Sequence, residues 1–78
     1  MDIAKKVGEN LKAARKTCGL TQKEVARKML MTQQQYSRFE NGVFELNYSQ
    51  IMTLCTLFEI SPNELFDDCN RNIGNTSN

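Results

Sequence analysis

Residues 19–42 read GLTQKEVARKMLMTQQQYSRFENG, and the way this stretch punctuates itself decides the fold. Thr21-Gln22-Lys23-Glu24 has the spacing of a capping box. The Thr21 hydroxyl can accept from the amide of the third helical residue, while the Glu24 carboxylate reaches back to the cap amide. Thr32-Gln33-Gln34-Gln35 repeats the device with glutamine in the reciprocal place. Between the boxes, Val25, Ala26 and Met29 supply the buried face of a helix of about two turns. Beyond the second box, Tyr36 and Phe39 turn one way with Glu40 beside them, and Asn41-Gly42 closes the helix. Each cap stabilises its helix by about 0.5–2 kcal/mol. Two adjacent boxes therefore fix where the second and third helices begin, and with that the angle between them.

Working outward, Asp2 is placed to cap a first helix on which Ile3, Val7, Leu11, Ala14 and Cys18 recur every three or four residues as one apolar stripe. Gly19 falls where a left-handed C′ residue is wanted, with Leu20 as its hydrophobic C″ partner. On the other side, Val43 to Leu46 reads as a loop. Asn47 through Gln50 can open a fourth helix with Ile51, Leu54, Cys55, Leu57 and Phe58 as its apolar positions. Ser61-Pro62-Asn63-Glu64 is a further box with proline at its favoured N1 place, opening a short fifth helix anchored by Leu65 and Phe66. From Cys69 onward the sequence is polar apart from Ile73, which predicts a disordered or weakly ordered tail. The expectation is an all-α, compact five-helix domain over residues 1–68, followed by a polar tail over 69–78.

A chain of 78 residues fits one domain. At this size only about 60% of the unfolded surface is buried, so caps and local signals weigh heavily. The net charge of +1 says little, but its distribution says more. Residues 1–40 carry nine basic and four acidic side chains, whereas residues 41–78 carry one basic and five acidic. A chain with a basic front and an acidic rear can orient toward a phosphate backbone, though an ordinary solvated surface has the same composition. The three cysteines include no C-x-x-C, and there is no histidine. Zinc would lack ligands and a disulfide framework is not expected. Cys18 and Cys55 fall in helical patterns and are predicted as small core residues, with Cys69 exposed. No apolar run approaches the ~18 residues of a membrane span, and no signal-peptide core begins the chain, so a soluble, cytoplasmic protein is expected. With no Gly-rich phosphate loop, no metal cluster and no room for a pocket, enzymatic activity, a cofactor and a small-molecule ligand are not expected.

The third helix carries the chemistry. Gln33, Gln34, Ser37 and Arg38 form a contiguous strip opposite Tyr36 and Phe39. Glutamine pairs bidentately with adenine N6 and N7, and arginine with guanine O6 and N7, so the strip has the composition of a base-edge reader. It starts at a helix N-terminus, where free amides and the dipole favour phosphate. A solvated helix face that happens to hold glutamines would look the same in isolation.

Taken together, residues 3–67 resemble the lambda-repressor and Cro-like helix-turn-helix regulators of phage and bacteria, also called the XRE family. Gly19 to Ala26 is similar to the family's G-L-T-Q-x-x-L-A signature, and Thr32 to Gly42 to its recognition helix and following E-x-G. Phe58-Glu59-Ile60-Ser61, with Leu65, is similar to its closing helix pair. The resemblance implies a double-stranded DNA-binding transcriptional regulator, most simply a repressor, that reads the major groove with residues of about 33–41. Gln33 and Gln34 take the first base-reading positions, and Ser37 and Arg38 the later ones. Gln22 would hold a phosphate and brace the first residue of helix 3, with Lys23 and Asn41 as further phosphate contacts. Arg15 and Glu40 correspond to an internal ion pair joining helix 1 to the end of helix 3. A homodimer on a two-fold operator is implied, with helix 5 and the Val43–Leu46 loop as the dimer surface.

Two departures stand out. The family's turn between helices 2 and 3 usually carries glycine, and here that place holds Leu30. The loop after Gly42, often basic in the family, is Val43-Phe44-Glu45-Leu46. Phosphate contacts there would have to come from backbone amides, and the salt dependence would be shallow. The alternatives are an antitoxin-like or adaptor module whose acidic rear engages a protein, and a helix-turn-helix fold that has lost DNA binding.

Overall fold

The computed structural model describes residues 2–69. It consists of five helices: α1 (Ile3–Thr17), α2 (Gln22–Lys28), α3 (Gln33–Glu40), α4 (Tyr48–Phe58) and α5 (Pro62–Leu65). The described residues contain no strand. The expected tail lies outside the described residues, apart from Cys69, which is half-buried against the core.

The helix starts follow from the caps. Asp2 accepts the Lys5 amide at 3.1 Å to open α1. The boxes at Thr21, Thr32 and Ser61 form with both hydrogen bonds present. A fourth box was hidden in the sequence: the Asn47 side chain accepts the Gln50 amide at 2.8 Å, and the Gln50 side chain accepts the Asn47 amide at 2.9 Å. Every helix therefore has a side chain satisfying one of its orphan N-terminal donors. At the other end of α1, Leu20 donates its amide back to the Arg15 carbonyl at 3.1 Å, with Gly19 left-handed between them.

The core is built from Val7 and Leu11 of α1, Val25 and Ala26 of α2, Tyr36 of α3, Leu54, Cys55 and Phe58 of α4, and Leu65 of α5. Met29, Phe39 and Ile51 pack against it half-buried. The apolar stripe of α1 is shorter than the periodicity indicated. Its centre, Val7 and Leu11, is buried, while Ile3 and Cys18 at its ends are exposed. Cys18 is thus corrected from the core: it is the C-cap of α1, past the last turn that packs. Its sulfur still reaches the Phe58 carbonyl oxygen at 3.5 Å. Cys55 is buried as expected.

α3 lies against both α1 and α2, and α5 against α1 and α4. The contact between α1 and α3 is backbone-close. A Cβ on Gly8 would sit 2.6 Å from the Phe39 carbonyl oxygen and closer still to that of Glu40. That approach seats the C-terminal end of α3 on α1.

The turn joining α2 to α3 resolves the Leu30 anomaly. Leu30 is left-handed, with φ 59°, and is 94% exposed. The chain takes the conformation for which glycine is suited, at a cost of roughly 1–2 kcal/mol for a leucine. Leu30→Gly gives up some unfolded-state restriction but removes this strain. A net gain of about 1 kcal/mol is expected, which is roughly 4–8 °C in melting temperature by circular dichroism. An unchanged melting temperature would show that the left-handed leucine costs nothing here.

Candidate nucleic-acid interface

α3 divides its residues cleanly. Tyr36 and Glu40 are buried, Phe39 is half-buried, and Gln33, Gln34 and Arg38 are exposed, with Ser37 partly so. The four strip residues, together with Gln22 from the start of α2, line one shallow open depression on the surface. Five polar side chains from two helices, offering amide, hydroxyl and guanidinium groups, thus face solvent side by side. Gln35 is withdrawn from the set: its side-chain oxygen accepts the Thr32 amide at 2.9 Å and closes the capping box. Lys23 is exposed on the first turn of α2, and Asn41 caps α3 with its amide donating to the Ser37 hydroxyl at 3.3 Å. Both lie outside the depression.

The strip is held in place by a charged cluster beneath it. The Arg15 guanidinium meets the Glu40 carboxylate in a two-pronged contact, Nε to Oε2 at 2.7 Å and Nη2 to Oε1 at 3.2 Å. The two side chains are only 10% and 1% exposed. Arg15 Nη1 also donates to the Leu20 carbonyl at 2.9 Å, so the pair ties α1 both to the end of α3 and to the turn before α2. Burial opposes the charge on Glu40, but its contacts with Arg15, Tyr36 and Gln22 outweigh that and hold its pKa below the ordinary glutamate value. The Tyr36 hydroxyl is enclosed next to Glu40, and burial, together with the Glu40 carboxylate, pushes its pKa up.

Gln22 behaves differently from its expected role as a brace for Gln33. Its Nε2 donates to Glu40 Oε1 at 2.9 Å, so Gln22 is tied to the far end of α3 instead. An amide nitrogen carries two hydrogens, and the second remains available to a ligand. The sequence places Phe44 in the loop expected at a dimer surface but gives no sign of its contact with Arg38. The Arg38 guanidinium carbon lies 5.8 Å from the centre of the Phe44 ring, within range of a cation–π contact. Val43 and Phe44 in the loop and Tyr48 at the start of α4 are exposed. Phe44 also borders an apolar groove of about 200 Å³ with Ile3, Val7, Phe39, Leu46 and Phe66. The described residues contain no helix long and apolar enough to cross a membrane.

Two short capped helices, packed on each other across a tight turn, with the second presenting a polar side outward, make a helix-turn-helix unit. The chain matches the helix-turn-helix domain family over residues 8–70 and belongs to that family. It is also similar to the protein named Antitoxin PezA from Streptococcus pneumoniae serotype 4, at 38% identity over 55 residues. That match covers 70% of this chain and 35% of the relative, so the chain corresponds to a minor part of that protein's length. No solved structure matches.

Proposed function

We propose that the chain is a sequence-specific double-stranded DNA-binding regulator of transcription, with Gln33, Gln34, Ser37 and Arg38 reading base edges in the major groove. The observation that carries this reading is the shared exposure of those four side chains with Gln22 on one face, against the burial of Tyr36 and Glu40 on the other. Gln22, Lys23, Asn41 and the amides at the start of α3 take the phosphate backbone, which fixes register, while the strip supplies selectivity. The basic front half draws the domain to the duplex. One such module covers only about 600–1,000 Å² of protein surface. Selective binding therefore calls for two copies on a two-fold site, with half-sites about one helical turn apart. Repression, by occupying a site that polymerase needs, requires no further part.

Selection of duplexes from a random pool, followed by variants, tests the assignment. Gln33→Ala and Arg38→Ala are each expected to relax preference at one base position by about 1–3 kcal/mol without unfolding the chain. If both variants select the parent's consensus unchanged, the reading strip is misassigned.

A second reading has its own support. The similar protein from S. pneumoniae is named an antitoxin, and the rear half of this chain is acidic with apolar residues exposed on its loop and on α4. In that reading the rear face engages a protein partner and the α3 face still binds DNA. A stable complex with a small protein encoded beside this chain, formed without DNA, would favour it.

A further inference from the structure

We infer that Phe44 is a specificity-determining positioning residue that holds the Arg38 guanidinium for base reading; this rests on the DNA reading of the α3 strip. Arg38 borders both the depression shared with Gln22, Gln33, Gln34 and Ser37 and a second one shared with Phe44, Met31, Gln35 and Phe39. It is thus the point where the polar strip meets the apolar loop. Arg38 makes no ion pair among the described residues, so its one charge-directed contact there is the Phe44 ring at 5.8 Å.

The backbone sets this contact. Gly42 is left-handed, with φ 75°, and a Cβ there would lie 2.5 Å from the Lys5 Cα, so the chain reverses tightly against α1. The Val43 amide then donates to the Arg38 carbonyl at 2.9 Å, which brings the next residue, Phe44, back alongside the Arg38 side chain. Phe44 also borders the groove with Phe39 and Leu46, which anchors the ring from the core side.

A long arginine loses rotamer freedom when it binds, and a guanidinium already held near a ring has lost part of it. The ring keeps the fork near the outer edge of the strip and leaves its N–H donors free, since a cation–π contact uses the face of the guanidinium or its charge and not its donors. The Val43–Leu46 loop, which carries no basic residue, thus contributes to selectivity through an aromatic residue and not to phosphate attraction.

The test uses the duplex that the parent chain selects from a random pool, and the three duplexes that differ from it at the base pair whose preference Arg38→Ala abolishes. Phe44→Leu keeps apolar bulk and removes the ring; Phe44→Tyr keeps the ring. An exposed cation–π contact of this kind corresponds to about two- to fivefold in an equilibrium constant. Phe44→Leu is expected to cut discrimination at that one base pair by about that factor, with preference elsewhere and the salt slope unchanged, and Phe44→Tyr to keep the parent's discrimination. Parent-like discrimination in Phe44→Leu, or a uniform loss of affinity at every position, overturns the inference while leaving the DNA reading intact. A pool from which the parent itself selects nothing overturns the DNA reading, and this inference with it.

Discussion

Glu40→Ala is expected to lower the free energy of unfolding by about 3–5 kcal/mol, read from urea denaturation. The magnitude comes from what is left behind. With the carboxylate gone, the Arg15 guanidinium stays buried, keeps its bond to the Leu20 carbonyl, and has no counter-charge. The Gln22 amide loses its acceptor in the same step. A domain this small has a total stability at the low end of about 5–15 kcal/mol, so the variant is expected to be largely unfolded near body temperature. A change below about 1 kcal/mol would mean that the pair behaves as an exposed one.

The same cluster gives a pH dependence. The folded state holds the Glu40 pKa below its unfolded value, so the charged form contributes stability in full above the ordinary glutamate range. That contribution is lost as the pH falls from about 4.3 through the lowered folded-state value. The parent's melting temperature should fall across that window, and Glu40→Gln, already destabilised at neutral pH, should show a flatter acid limb. An identical acid limb in the two proteins would remove Glu40 from the account.

Gly8→Ala is the second large effect, and here two principles compete. On an ordinary helix face alanine is better than glycine by about 1 kcal/mol, and local propensity alone predicts a more stable protein. The added Cβ, however, meets the backbone carbonyls of Phe39 and Glu40, which cannot move aside by changing rotamer. Overpacking of a fixed contact costs typically 1–3 kcal/mol and more where backbone must shift. The contact is expected to win, with a net loss of about 2 kcal/mol and a melting temperature lower by roughly 8–16 °C. Since α3 itself is displaced, binding to the selected duplex should weaken as well. A variant that melts above the parent would show that α1 and α3 separate without penalty.

Much of the fold was legible because its decisive signals are local. A capping box needs only two residues three apart, and those at Thr21, Thr32 and Ser61 could be read directly. The box at Asn47 escapes the S/T-x-x-E/Q pattern only because asparagine stands where that pattern has serine or threonine. The Arg15–Glu40 pair came from resemblance alone, since no spacing rule joins residues 25 apart, and the structure brings them into direct contact. What stayed hidden depends on long-range approach. Nothing local marks Gly8; its need for a missing side chain comes from the Phe39 and Glu40 carbonyls of α3 lying against it. Cys18 kept the stripe's period but fell one turn beyond the partner that would have covered it. Leu30 was flagged as a departure, and the backbone answered by keeping the left-handed turn. Phe44 is marked in the sequence only as part of an apolar loop expected at a dimer surface; its contact with Arg38 has no local signal, because it depends on the chain reversal at Gly42.

The face of α3 can be interrogated residue by residue. Titration of the selected duplex into the isotopically labelled chain, followed by backbone and side-chain amide resonances, should move the signals of Gln22, Gln33, Gln34, Ser37, Arg38 and Asn41 most. The amides of α4 should stay near their free positions. Shifts concentrated on α4, with the α3 strip unmoved, would contradict the proposal that this strip reads DNA.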